Sequence, residues 1–430
     1  MLRIFQSTSA EAAKQYYTDA LSRSDYYLDG QEVVGGWGGQ ASTYLCLDRN
    51  EGGTPRPLDQ KAFARLCDNL HPLTGERLTP RTRDDRTVGY DFSFHAPKGV
   101  SVLHALTGDT RIVEAMQAAV SETMSELEAS THTRVRLGNR NEDLKTGNLI
   151  WGSFTHFTTR PVDGVPDPHF HVHCFVFNTT FDTEEARWKA AQFRQVVRDQ
   201  PYFQAAYHAR LARRLIEIGY PVSRTPEGWD LHGIDRGLIE KFSRRTAEIE
   251  AECRRLGITD PAEKDGLGAR TRASKDKDLG LTDLALAWQH RLTQDEAQWI
   301  HRMAQEPGIR DLRNKAVEQG KAVADSQQPL KETPPVTAEQ ALDHAIRHVY
   351  ARTAVESDRR LAAEALKHAV GDVTPGQVWA ALEAHPELLT RREDGERWVR
   401  TDGEIPCIRF GRAVRYDPAD LRAWVARNRR

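Results

Sequence analysis

Asp167-Pro168-His169-Phe170-His171-Val172-His173-Cys174-Phe175-Val176-Phe177-Asn178 is the stretch that decides how the chain folds. After Pro168 polar and apolar residues alternate, and the run then turns bulky and apolar, as in a strand entering a sheet core. A period of two puts His169, His171 and His173 on one face. Neighbours in that set stand roughly 7 Å apart at Cα, near enough for two imidazoles to share a cation. The outer two are about twice as far apart, so a third ligand is expected from an adjoining strand.

Upstream, Asn148–Thr159 reads as a strand carrying His156, and Arg160–Asp167, with its Pro and Gly, as the loop that reverses the chain. The resulting hairpin sets His156 opposite the cluster. Three histidines leave coordination positions open, the pattern of a catalytic rather than a structural metal site. For an isolated His-x-His, a surface strand with scattered histidines is the commoner outcome.

The 430 residues leave room for two or three domains. Charged residues make up 28% of the chain but the formal net charge is −2, so a basic groove for nucleic acid has to be local. Cys46, Cys67, Cys174, Cys253 and Cys407 are odd in number and contain no Cys-x-x-Cys. That argues against a disulfide framework or a zinc knuckle and fits a reducing cytosol. The opening Met-Leu-Arg-Ile-Phe-Gln-Ser-Thr-Ser has no apolar leader, and no run is long enough to cross a bilayer. A cytoplasmic protein without membrane insertion is expected.

Leu2–Gln6 reads as a strand, and Thr8 with Glu11 as a capping box opening a helix to about Ala20 that carries Tyr16 and Tyr17. A second pair, Tyr26 and Tyr27, follows Asp25, and Gly35–Gly39 reads as a flexible loop. Val88–Phe94 alternates as a strand with Asp91, Ser93 and His95 on one face. Ala96-Pro97-Lys98-Gly99 then turns into a helix near Val100–Leu106. Helices are expected at Ile112–Ala129, Tyr202–Gly219, Arg236–Leu256 and Asp283–Arg291, with a basic loop at Arg270–Lys277. Past Glu306 the chain turns polar and ends that stretch in Pro334-Pro335, which reads as a linker. Helical spacing returns over Ala338–Val355, Asp358–Val370 and Thr374–His385, and Ile405–Tyr416 reads as a hairpin turning at Gly411-Arg412.

Two tyrosine pairs, an aspartate on a strand and a three-His hairpin, in that order, resemble the relaxase domain of the F-plasmid-type (MobF) conjugative relaxases, a branch of the HUH endonucleases. Gly89-Tyr90-Asp91-Phe92-Ser93-Phe94-His95-Ala96-Pro97-Lys98 matches the family's Asp-bearing strand and turn. His156, with Thr159-Arg160 after it, stands at the first-ligand position, and His171-Val172-His173 is the paired-His element. Gly219-Tyr220, His232–Arg236 and Phe242–Arg245 match segments of the helical part. Two departures stand out: His95 replaces a small residue, and the loop between His156 and His171 is longer than the family pattern.

The resemblance implies an α+β fold, a two-layer sandwich whose antiparallel sheet carries the three-His metal site, with a helical lobe and a small, mainly helical C-terminal region. It implies a relaxase domain over residues 1–300 (core about 1–200, DNA-covering lobe about 200–300), a linker over 301–335, a pre-helicase-like helical segment over 336–390, and a tail over 391–430 like part of an excisionase-type helix-turn-helix module. It implies metal-dependent nicking and rejoining of single-stranded DNA at a plasmid transfer origin. Tyr16 attacks first through a 5′-phosphotyrosine, Tyr26 serves a second transfer, and Tyr17 and Tyr27 support them.

The resemblance further implies that His156, His171 and His173 hold a divalent ion, with Asp91 fixing a ligand histidine's tautomer. The family suggests Mg or Mn in function, whereas three imidazoles also suit Zn, Ni or Co. Lys98, Arg160, Lys241, Arg244, Arg245, Arg270, Arg272 and Lys275 are candidates for holding the DNA backbone, although such charges more often form a solvated face. His169 is expected at the site's edge. Implied partners are accessory relaxosome proteins, a type IV secretion coupling protein and a separate helicase, because no Gly-x-x-x-x-Gly-Lys-[Ser/Thr] occurs in the chain. A rolling-circle replication initiator with the same chemistry, or a DNA-binding repressor with an inactive relaxase lobe, are the alternatives.

Overall fold

The computed structural model describes residues 1–15, 35–49, 53, 56–80, 83, 85–137, 140–226, 228–260, 263–264, 266–267, 281–305, 334–351, 353, 355–386, 388–393, 396–401, 407–410 and 413–416. Contacts divide the chain into two units, Met1–Gln200 with Arg214–Ser326, and Pro201–Arg213 with Gln327–Arg430.

The first unit is built on strands β1 (Leu2–Ser7), β2 (Gly36–Gly38), β3 (Gly89–His95), β4 (His132–Leu137), β5 (Arg140–Lys145), β6 (Trp151–Thr158) and β7 (Pro168–Phe177). Five of them form one sheet in the order β1-β3-β7-β6-β2, and every neighbouring pair is antiparallel. β7 alternates as its sequence demands. Phe170, Val172, Cys174 and Val176 are buried on one face, where the helix Lys98–Thr107 packs against the strand. On the other face the histidines give way to Phe175 and Phe177, which join Phe154, Leu58 and Phe63 of the helix Gln60–Cys67 in an aromatic core. Burying each such ring is worth about 1.5–3 kcal/mol, enough to fix the register at that end. The opposite end of the same face is left to the imidazoles.

The α+β architecture with an antiparallel sheet carrying a histidine cluster is as expected. Several local expectations were not met. Gly35–Gly39 is no loop, because Gly36–Gly38 pairs with β6. Glycine is required there for contact reasons: a Cβ on Gly38 would fall inside the Trp151 indole, and Gly39 has φ +91° and lies against the Leu149 carbonyl. The turn that follows is held by buried Glu128, whose Oε1 accepts from the backbone N–H of Gln40 and of Leu149, each at 2.7 Å. The first helix is capped by Ser9, whose Oγ accepts from Ala12 N, rather than by Thr8. Arg236–Leu256 is two helices, Arg236–Lys241 and Arg244–Leu256. The break follows from Asp167, whose Oδ2 captures the Arg244 N–H at the second helix's N-terminus, while Phe242 is buried in the joint. The antiparallel ribbon β4–β5 and the hairpin Val222–Thr225 with Gly228–Leu231 carried no sequence signal that marked them in advance.

In the second unit the helices Ala338–Tyr350, Asp358–His368 and Pro375–Ala384 close over Leu342, Val349, Leu361, Ala381, Leu382 and Leu388. Thr337 with Gln340 and Thr374 with Gln377 form capping boxes at two of their starts. Glu396–Thr401 pairs with both Leu388–Glu393 and Glu356–Ser357, and Cys407–Phe410 pairs with Ala413–Tyr416. Among the described residues, no helix is long and apolar enough to cross a membrane.

Candidate metal centre

Register brings the histidines together. Across β3 and β7, Ser93 stands opposite His173 and His95 opposite His171. Across β6 and β7, His156 stands opposite His171 and Phe154 opposite His173, with the β6 register breaking only beyond His156. Three adjoining strands therefore present imidazoles on one face of the sheet. Ring centroids are 5.3 Å apart for His156–His171, 5.5 Å for His156–His173 and 5.1 Å for His171–His173. Imidazoles ligating one tetrahedral ion with metal–nitrogen bonds of about 2.0–2.1 Å have centroids roughly 5.2 Å apart. The ring spacing of His156, His171 and His173 is thus that of a shared ion, whereas the ring nitrogens that converge within 4.8 Å of one another are those of His95, His169 and His171.

The hydrogen bonds around the rings prepare them for it. His173 Nδ1 lies 2.8 Å from Asp91 Oδ2 and 3.1 Å from Oδ1, so Nδ1–H donates to the carboxylate and the lone pair falls on Nε2. His171 Nδ1–H donates to the His169 carbonyl at 2.8 Å, with the same result. Burial pushes His171 and His169 well below the ordinary imidazole range, and pulls His95 down to about 3. These three rings are neutral at pH 7, which is the form that binds a cation.

His95 and His169, whose parts were open from sequence, lie in the same array. One ring nitrogen each from His95, His169 and His171 fall within 4.8 Å of one another. The signal for His95 was there in its parity with Asp91 on β3, but alternation gives a face and not a neighbour. Tyr16, Tyr17, Tyr26 and Tyr27 lie outside the described residues, as do Arg270, Arg272 and Lys275.

The other basic candidates lie among the described residues, where Lys98, Lys241, Arg244 and Arg245 each meet a protein partner. Lys98 is buried and donates Nζ–H to the Pro168 carbonyl at 2.9 Å. Burial pulls its ammonium down to about 8, against the opposing pull of Asp167 and Asp230. Arg244 is spent on Asp167, through both its backbone N–H and its guanidinium at 2.9 Å. Arg291 reaches the same carboxylate at 2.6 Å, and Trp288 Nε1–H donates to the Pro166 carbonyl. Sequence reading missed Asp167, which is 1% exposed and ties the helical lobe to the loop that leads into β7. Lys241 binds both carboxylate oxygens of Glu296, and Arg245 binds Glu248. Arg160 is half-buried at the start of the β6–β7 loop.

A family model described as TrwC relaxase matches residues 10–295. The chain is 29% identical over 261 residues to the multifunctional conjugation protein TraI of Escherichia coli strain K12; this match covers 58% of the chain but 14% of TraI. It is also similar to a metal-bound structure of the conjugative relaxase TrwC in complex with OriT DNA, with 30% identity and a TM-score of 0.58 over 68% of this chain and 97% of that one. A structure of TrwC with a 27-mer DNA comprising the recognition hairpin and the cleavage site is similar at 27% identity and a TM-score of 0.56, over 70% of this chain and 99% of that one. With the matched residues running through four of the five strands of the histidine-bearing sheet and into the helices beyond it, the chain belongs to the TrwC relaxase family.

Proposed function

We propose that the chain is a conjugative DNA relaxase, which nicks and rejoins one strand of single-stranded DNA at a plasmid transfer origin. The observation that carries this reading is the Asp91–His173 hydrogen bond beside His156 and His171 on adjoining strands, in a chain of this family. His156, His171 and His173 would hold a divalent ion, Mg or Mn in the cell, at a site that Zn, Ni or Co can also enter. When bound, the ion neutralises charge on the non-bridging oxygens of the scissile phosphate.

The protein's own groups do the rest. Asp91 fixes the His173 tautomer, and the His169 carbonyl fixes that of His171. The Tyr16 phenol, with an ordinary pKa of about 10, gives up its proton and attacks phosphorus in line. The Tyr16 O–P bond forms, the P–O3′ bond breaks, and the leaving 3′-oxygen takes up a proton. A phosphodiester is exchanged for a phosphodiester, so rejoining needs no nucleotide fuel. Tyr26 serves a second transfer, with Tyr17 and Tyr27 supporting. Arg270, Arg272 and Lys275 are the basic residues we assign to the DNA backbone, and a coupling protein, relaxosome proteins and a separate helicase are the partners we assign in the cytoplasm.

The test is a labelled single-stranded oligonucleotide library incubated with the protein and Mn²⁺. A covalent adduct that disappears in Tyr16→Phe is expected, with the cut mapping to a transfer origin. Duplex binding without any adduct would replace this reading with that of a repressor, and a cut at a replication origin with that of a rolling-circle initiator.

A further inference from the structure

We propose that His95, His169 and His171 form a second cation set that overlaps the first and competes with it for His171. The set would take ions that prefer imidazole, namely Zn²⁺, Cu²⁺, Ni²⁺ or Co²⁺, and not Mg²⁺, which demands oxygen ligands. The second set stands on its own geometry; its consequence for the reaction rests on the reading of His156, His171 and His173 given above.

The geometry begins with register. His95 on β3 is opposite His171 on β7, and His169 is two residues earlier on the same face. Ring centroids are 5.0 Å apart for His95–His169, 5.3 Å for His95–His171 and 4.7 Å for His169–His171. These spacings meet the same test of roughly 5.2 Å that the first set meets. His95 Nδ1 and His169 Nε2 lie 2.9 Å apart and face each other. Two imidazole nitrogens at that distance cannot both carry protons, and two bare lone pairs would repel, so one ring's N–H points at the other ring's lone pair, and a metal ion can take the place of that shared proton. Ser93 Oγ lies 2.9 Å from His95 Nε2, and by accepting Nε2–H it leaves the Nδ1 lone pair turned towards His169. Ligand nitrogens on a tetrahedral ion stand about 3.3 Å apart, so the pair need open by less than about half an ångström to exchange that proton for a metal.

The competition follows from counting lone pairs. His171 commits Nδ1–H to the His169 carbonyl, which leaves one nitrogen for coordination, and one lone pair serves one ion. An ion held by His95 and His169 draws on that nitrogen and takes it from His156 and His173. His95 and His169 thereby give this chain a transition-metal response that the three-His set alone would not have.

The experiment uses the full chain, freed of metal by chelation and titrated with Co²⁺, read by its visible absorption and by calorimetry. In His156→Ala/His173→Ala, one Co²⁺ is expected to bind still, with the spectrum of a nitrogen-ligated ion. Adding His95→Ser and His169→Gln should weaken that binding at least about tenfold. Equal affinity with and without His95 and His169 overturns the proposal. Because the multiple variants can fail to fold, His95→Ser and His169→Gln are also made singly in the otherwise intact chain, with circular dichroism as the check. There, Cu²⁺ electron paramagnetic resonance should show two nitrogen-ligated species in the parent and one in each variant; an unchanged spectrum overturns the proposal. Mn²⁺ binding to the parent and to His156→Ala/His173→Ala tests the first set separately, so failure of one reading is not mistaken for failure of the other.

Discussion

Asp91→Asn isolates what the carboxylate does for the metal centre. In the parent, both carboxylate oxygens take the His173 Nδ1–H, at 2.8 and 3.1 Å, and the side chains are 16% and 12% exposed. The bond is charge-assisted and largely shielded from water, so it fixes the tautomer and holds the ring's other nitrogen as the ligand. Asparagine keeps the shape but loses the charge, and its amide can rotate to offer N–H instead of oxygen, which would favour the tautomer that cannot ligate. Loss of such a partner typically weakens metal binding 10- to 100-fold, about 1.4–2.7 kcal/mol. Isothermal titration of chelator-treated protein with Mn²⁺ measures it, with thermal unfolding of the metal-free proteins as the control for folding. An affinity within about threefold of the parent, at unchanged stability, would refute the reasoning, because His173 would then not depend on its carboxylate.

Three further outcomes follow from buried groups outside the metal centre. Asp167→Asn removes the charge that Arg244 and Arg291 share; breaking such a buried pair costs about 3–5 kcal/mol, at the lower end here because both arginines are partly exposed, and urea unfolding should show it. Gly38→Ala places a methyl inside the Trp151 ring and should cost about 1–3 kcal/mol by the same measurement. Lys98 has a folded pKa of about 8, below its ordinary 10.5, so between those values the unfolded chain binds more protons than the folded one. Its contribution to stability should rise as pH goes from 8 to 10.5, and the difference between parent and Lys98→Met, followed by unfolding across that range, should change in that sense; a flat difference would mean that the ammonium is not desolvated.

The parts of this molecule that could be read from sequence are those whose physics is local. Alternation along 168–177 placed His169, His171 and His173 on one face, and alternation along β3 placed Asp91 and His95 together, because side-chain parity is a property of a single strand. What parity does not carry is which residues become neighbours across strands. That depends on the aromatic end of the sheet, where Phe175 and Phe177 lock against Phe63 and so set His95 beside His171 at the other end. The same limit explains the basic residues. Nothing in a linear string reveals that Pro168 O will meet Lys98, or that Asp167 will meet Arg244, in the interior. It also explains Gly36–Gly38, where poor intrinsic strand propensity is outweighed by the room that an absent Cβ leaves for Trp151. In each case a long-range contact decided the outcome. A change of one residue in the register of β3 against β7 would leave every motif in the sequence intact and yet turn His95 and Asp91 to the wrong face. The aromatic core is therefore as much a determinant of the metal centre as the histidines themselves: Phe63→Ala should loosen Mn²⁺ binding as well as the fold, although no atom of Phe63 belongs to the histidine array.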